Sequence, residues 1–142
     1  MKKVRDILQA KAPDVWSIGP DALVYDAMKL MADKAIGALL VMDGNKLVGI
    51  ISERDYARKI ILQGRSSHST QVREIMTSRV VYTEPERNID ECMALMTDKR
   101  IRHLPVLESG AVSGVISIGD LVKAIIAEQK FIIEQLERYI TS

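Results

Sequence analysis

After Pro20, apolar side chains fall at Val24, Ala27, Met28 and Met31, the i, i+3, i+4, i+7 spacing of one buried helical stripe. Ile89, Cys92, Met93 and Met96 repeat that stripe after Pro85. Asn88 with Glu91 three residues on predicts an N-cap box for the second helix; the first has Leu23 there and is less well capped. Short apolar runs follow each helix. Ala38 to Met42 predicts a buried strand, Asp43-Gly44-Asn45 a hairpin turn, and Leu47 to Ile51 a second strand. In the later stretch Ser109-Gly110 marks the turn before Val112 to Ile116. Ser52 and Ser117 each open a closing helix, with Asp55 or Asp120 three residues further on. The predicted order is strand, helix, strand, hairpin turn, strand, helix, twice over.

This doubling is an internal repeat. At an offset of 65 positions Val15…Pro20 faces Val80…Pro85, and Met28-Lys-Leu30-Met31 faces Met93-Ala-Leu95-Met96. Gly49-Ile-Ile51-Ser52 likewise faces Gly114-Val-Ile116-Ser117. A second offset, 68, sets Val4-Arg5-Asp6-Ile7-Leu8 against Val72-Arg73-Glu74-Ile75-Met76, so the repeat begins before the shared strand. The polar stretch Gln63 to Thr70 reads as the linker. A copy this small has a marginal core alone. Two copies with apolar sheet faces are expected to pack about a pseudo-twofold axis, leaving clefts suited to small molecules.

Composition removes several function classes. Of 142 residues, 47% are hydrophobic and 27% charged, the balance of a soluble globule. Twenty basic against nineteen acidic side chains leave +1, which argues against a protein that binds by neutralising nucleic-acid phosphates. A single cysteine excludes an internal disulfide and a thiolate zinc cluster, and two histidines make a His-rich metal site improbable. No apolar run is long enough to span a bilayer and no signal core follows the N-terminus, so a cytoplasmic protein is expected.

Residues of this kind resemble a known family. The pattern V-x-x-x-x-P, an apolar helix, I-x-x-L-P-V and G-h-h-S-x-x-D (h apolar) is similar to the CBS domain, and two in tandem resemble a Bateman module. Val80…Pro85, Ile101-Arg102-His103-Leu104-Pro105-Val106 and Gly114…Ser117-Ile118-Gly119-Asp120 carry it almost completely. The first copy has Leu40 where the pattern has Pro. The resemblance implies a mixed fold (α+β, or α/β): two CBS domains, β-α-β-β-α each, with an extended C-terminal helix. It divides the chain into domain 1 at 1–63, a linker at 64–71, domain 2 at 72–127 and a helical extension at 128–142. It further implies a regulatory sensor for an adenosine-containing ligand (AMP, ADP, ATP, NAD or S-adenosylmethionine), with no catalysis of its own. A homodimer is expected, together with a regulated protein of unknown identity.

Each S-x-x-D motif has two readings. As a capping box, Ser accepts from the N3 amide and Asp favours the positive helix end. As a ligand site, the carboxylate accepts from both hydroxyls of a ribose while the helix end and Ser hold a phosphate. By resemblance, site A combines Ile51, Ser52, Arg54 and Asp55 with Ser78, Val80, Arg102 and His103. Site B combines Ile116, Ser117, Gly119 and Asp120 with Pro13, Val15, Gly37 and Ala38. Arg102 and His103 suit site A to phosphates by charge-assisted hydrogen bonds; site B, nearly uncharged apart from Asp120, suits a nucleoside or stays empty.

Cys92 lies in the core stripe and reads as a buried structural thiol, His68 as a solvated linker residue, and Trp16 as core ahead of an aromatic wall for adenine. Beyond Ile125 and Ile126 the helical pattern runs on through Phe131, Ile132, Ile133, Leu136, Tyr139 and Ile140. That helix is apolar on more than one side and is expected to meet a partner chain, with packing back on its own module as the other arrangement. The competing function is a ligand-independent dimeric interaction or scaffold module, in which both motifs are caps alone. No nucleophile–base pair or P-loop points to an enzyme.

Overall fold

The computed structural model describes residues 2–11 and 14–141. In chain order these form α1 (Val4–Ala10), β1 (Ser17–Ile18), α2 (Val24–Lys34), β2 (Ala38–Asp43), β3 (Lys46–Ser52) and α3 (Glu53–Tyr56). After α3 the chain continues as a π-helical turn, Ala57–Ile61. Then come α4 (Val72–Ile75), α5 (Ile89–Lys99), β4 (His103–Glu108), β5 (Ala111–Ser117) and α6 (Ile118–Thr141). The elements fall into two compact units, Val15–Val81 and a second that joins the described residues up to Asp14 to those from Tyr82 onward.

In the unit Val15–Val81, β2 and β3 form an antiparallel hairpin, and β1 lies parallel to β2 at its other edge. The turn uses Gly44 at φ 60°, a left-handed conformation that glycine adopts without a Cβ clash. Val24, Ala27 and Met31 of the predicted α2 stripe are buried against Leu39, Val41 and Ile51 of the sheet. Met28, the fourth stripe residue, is half-buried at the edge of that core. Helix α2 ends on Ala35 in the left-handed region, which turns the chain sharply into β2.

The other unit repeats this plan with β4, β5, α5 and α6. Ile89, Cys92 and Met96 are buried with Leu104, Val106, Ile116 and Leu121. The opening strand of this copy is reduced to one parallel bridge, Thr83 to Val106, because only Thr83 exchanges backbone hydrogen bonds there. Asn88 is the N-cap residue of α5, but its side chain makes no cap bond. The expected box with Glu91 does not form; Arg87 holds the Glu91 carboxylate at 3.0 Å instead.

Sequence copy and compact unit divide the chain differently. The N-terminal segment, grouped on sequence with the first copy, makes its backbone hydrogen bonds in the unit of the second: Val4 N–H to Arg87 O, Arg5 N–H to Pro85 O, and Ile89 N–H to Lys2 O. The segment around α4 does the same for the first copy, with Val72 N–H to Ala22 O, Arg73 N–H to Pro20 O, and Val24 N–H to Thr70 O. The bonds from Val24 and Ile89 satisfy the first amides of α2 and α5, whose N-cap residues Leu23 and Asn88 make no side-chain cap bond, and the other four do the same for α1 and α4. The two short helices are the pair related by the offset of 68, Val4 to Leu8 and Val72 to Met76. Each stands beside a glycine: Leu8 of α1 sits over Gly114, and Met76, the residue that ends α4, sits over Gly49, so that any Cβ would stand 2.6 Å from a side-chain atom.

The polar linker is ordered structure. Thr70 is buried and donates to Ser66 O at 2.7 Å, Arg65 pairs with Glu74, and Tyr25 N–H donates to Ser67 O. His68 is exposed as expected, yet its ring stacks on Tyr25 with centroids 4.1 Å apart. Trp16, expected in the core, is exposed instead; it precedes the short edge strand β1 and the Lys34 ammonium lies 4.3 Å above its ring.

Candidate functional site

The two S-x-x-D motifs stand where a hairpin strand turns directly into a helix. Ser52 closes β3 and caps α3: its N–H and Oγ both reach Asp55 Oδ2 at 3.0 Å, and the Asp55 N–H donates to Ser52 Oγ at 3.2 Å. Ser117 closes β5 in the same way. Its N–H donates to Asp120 Oδ2 at 2.8 Å, and the Asp120 N–H donates to Ser117 Oγ at 3.1 Å. These reciprocal pairs fix each carboxylate at a helix start, so the capping reading of both motifs is realised.

Each carboxylate also holds a lysine. Lys59, one turn along from Asp55, reaches Asp55 Oδ1 at 3.2 Å and donates to Ile75 O at 2.7 Å. Asp120 instead takes a residue 109 positions away: Lys11, just past α1, donates to Asp120 Oδ2 at 2.7 Å and to Val115 O at 2.8 Å. Sequence reasoning placed neither lysine. Lys59 carried the signal of an i, i+4 pair; Lys11 carried none.

The Asp55 side chain is 13% exposed and that of Asp120 is 21% exposed, so both are sheltered yet reachable. Burial alone would push the Asp120 carboxyl up. The Lys11 hydrogen bond, the Ser117 amide and the attraction of the ammonium together outweigh it and hold the group below the ordinary carboxylate range. Asp120 is therefore held as an anion by its lysine and its serine.

The strand pairing decides which expected site residues meet. Ala38 lies opposite Ser52, and the Glu53 N–H donates to Gly37 O at 3.1 Å. His103 lies opposite Ser117, and the Ile118 N–H donates to Arg102 O at 2.9 Å. Val15, Gly37, Ala38, Ser78 and Val80 thus belong to the compact unit of Ile51, Ser52, Arg54 and Asp55. Arg102 and His103 belong to that of Ile116, Ser117, Gly119 and Asp120. Pro13 lies outside the described residues. With Lys11 on Asp120, the neighbourhood of that carboxylate is far from the nearly uncharged surface expected of site B.

Arg102 is exposed and His103 half-buried, at the mouth of a strand whose next residues, Leu104 to Val106, are buried. Two open hollows of about 340 and 390 Å³ lie elsewhere in this unit, beside Tyr82 and Glu84. Among the described residues no group of three or more His, Cys, Asp or Glu is placed to hold a metal ion. No described helix is long and apolar enough to cross a membrane.

A hairpin entering a helix through S-x-x-D, twice, agrees with the family comparison, in which the CBS domain model matches residues 4–62 and again 72–127. The chain belongs to the CBS-domain family. It is similar to a CBS-domain protein of Burkholderia ambifaria MC40-6, considered to act in signal transduction, at 56% identity over 90% of this chain and 96% of that one, with a TM-score of 0.88. The CBS domain-containing protein CBSX3 of Arabidopsis thaliana, a mitochondrial protein, is 42% identical over 96% of this chain and 71% of its own length. The CBS domain pair of protein MJ0100, solved in complex with 5'-methylthioadenosine and S-adenosyl-L-methionine, matches at 25% identity over 87% of this chain and 99% of that one, with a TM-score of 0.78. CBS-domain pairs of this kind are regulatory modules.

Proposed function

We propose that this chain is a regulatory module that binds an adenosine-containing ligand, performs no chemistry on it, and passes its presence to a partner protein. The observation that carries the reading is the duplicated, sheltered carboxylate: Asp55 and Asp120, each locked at a helix start by its serine. An ionised carboxylate fixed in this way accepts from both hydroxyls of a ribose with little loss of side-chain entropy, because the capping bonds have already ordered it. The adenosine ligands of the MJ0100 pair support the same ligand class.

The remaining residues divide the work. Arg102 supplies a guanidinium and His103 an imidazole for a phosphate-bearing ligand such as AMP, ATP or NAD; in the other unit Arg54 adds a cation next to Asp55 in sequence. Ile51 and Ile116, fully buried one residue before the two serines, anchor the motifs in the core of their units. Ser52 and Ser117 stay on their aspartates. Lys11 and Lys59 must yield or share their carboxylate when a diol arrives, so ligand binding changes contacts of α1 and of the π-helical turn that a partner can read.

The scaffold reading has one observation in its favour: Asp55 and Asp120 are already engaged within the protein, each by a serine amide and a lysine ammonium. Thermal unfolding with AMP, ATP, NAD and S-adenosylmethionine separates the two. A ligand of the native state at a hundredfold excess over its Kd adds about 2.7 kcal/mol, a shift of several degrees. No shift with any member of the panel would leave only the scaffold.

A further inference from the structure

The two carboxylates have different amounts of bonding capacity left. An ionised carboxylate offers about four acceptor positions, two on each oxygen, and a ribose diol needs two of them. Among the described residues, the hydrogen bonds to Asp120 all fall on Oδ2, which takes the Ser117 N–H at 2.8 Å and the Lys11 ammonium at 2.7 Å. Its Oδ1 is open. Asp55 is fuller: Ser52 takes Oδ2 twice, through its N–H and its Oγ, and Lys59 takes Oδ1 at 3.2 Å. Both ribose hydroxyls therefore fit on Asp120 with every internal bond kept, whereas on Asp55 they must displace Lys59.

Lys11 has something left to give as well. An ammonium carries three hydrogens. Two are used, on Asp120 Oδ2 and on Val115 O at 2.8 Å, and among the described residues the third has no acceptor. The Lys11 side chain is 32% exposed and that of Asp120 21%, so both can be reached from solvent. A hydroxyl donates and accepts at once. One that donates to Asp120 Oδ1 can accept from the ammonium on the same carboxylate, and both bonds are charge-assisted.

The difference is written in the chain. At the offset of 65 positions Lys59 faces Ala124, so the second copy has no ammonium one turn beyond its aspartate. At the offset of 68 Lys11 faces Arg79, which is exposed. Val115 O, the carbonyl that Lys11 uses, corresponds to Ile50 O, and Ile50 O accepts the Thr77 N–H at 2.9 Å. A backbone bridge between Ile50 and Thr77 thus fills after α4 the place that the lysine takes after α1.

We infer that Lys11 is a ligand-binding residue, donating to a ribose hydroxyl held by Asp120, while Lys59 is an internal competitor for the diol at Asp55. The assignment rests on the ribose reading above and ranks its two carboxylates, Asp120 filling first. Calorimetric titration with AMP of two single-site chains tests it. Asp55→Asn should bind AMP more tightly than Asp120→Asn. Adding Lys11→Met to Asp55→Asn should weaken AMP about tenfold, through the loss of one charge-assisted bond. That loss should vanish with either 2′-deoxy-AMP or 3′-deoxy-AMP, whichever lacks the hydroxyl that Lys11 holds. Adding Lys59→Met to Asp120→Asn should have the opposite sign and tighten AMP several-fold, an arm that stands whether or not the Lys11 variant folds. The reverse ranking of the single-site chains, AMP binding unchanged or tightened by Lys11→Met, a loss equal for all three nucleotides, or no gain from Lys59→Met would each overturn the inference and leave the ribose reading standing. No heat of binding from the native chain would remove that reading, and the inference with it.

Discussion

Replacing Lys11 by Met tests the least expected contact of the structure. The substitution keeps the aliphatic length and removes only the ammonium, which donates to Asp120 Oδ2 at 2.7 Å and to Val115 O at 2.8 Å. A hydrogen bond to a charged group contributes about 1.5–3 kcal/mol when sheltered. Here Lys11 is 32% and Asp120 21% exposed, and the Ser117 N–H stays on the carboxylate, so the loss should be reduced to about 1–2 kcal/mol. With a urea m-value of about 2 kcal/mol/M, the unfolding midpoint should fall by roughly 0.5–1 M at neutral pH. The pH dependence follows from the carboxyl being held below its ordinary value. Its stabilisation is fully present above the unfolded pKa of about 3.9 and is lost as pH falls through the lower folded value. The Lys11→Met penalty should therefore be constant from pH 7 to about pH 4 and shrink below that, leaving the share due to Val115 O. Equal midpoints at neutral pH, or a penalty untouched by acid, would refute the reasoning.

The glycines beneath the two short helices give a paired prediction. A Cβ on Gly49 would stand 2.6 Å from Met76 Sδ and 3.0 Å from the Thr77 carbonyl oxygen, which bonds to Ile50 N–H, so Gly49→Ala must move backbone and should cost about 1–3 kcal/mol by thermal or urea unfolding. A Cβ on Gly114 meets only the Leu8 side chain, nearest at Cδ2, which can rotate away; Gly114→Ala should cost less than Gly49→Ala, and the reverse order would contradict the packing of α1 and α4.

Much of each unit was legible because its signals are local. The stripes Val24/Ala27/Met31 and Ile89/Cys92/Met96 encode which helical face is buried, and each hairpin shows in a turn with positive φ at Gly44, or at Ser109 and Gly110. The strands extend one residue beyond the apolar runs because Ser52 and Ser117 still pair with Ala38 and His103 before capping the next helix. What stayed hidden is non-local. The offset of 68 revealed that α1 and α4 are equivalent, but periodicity carries no information on which copy a terminal segment docks against. Lys11 finds Asp120 across 109 positions for the same reason. Trp16 misled because its size suggests burial, whereas its place before an edge strand and the Lys34 ammonium hold it at the surface.

In the proposed function Asp55 and Asp120 receive the sugar of an adenosine ligand. Calorimetric titration of Asp55→Asn/Asp120→Asn with AMP, beside the native chain, tests it most directly, since asparagine keeps an acceptor for the serine amide but loses the charge and the second acceptor oxygen. The native chain should give heat of binding, and the double variant should lose at least tenfold in affinity. A native chain that binds AMP and a double variant that binds it equally well would contradict it.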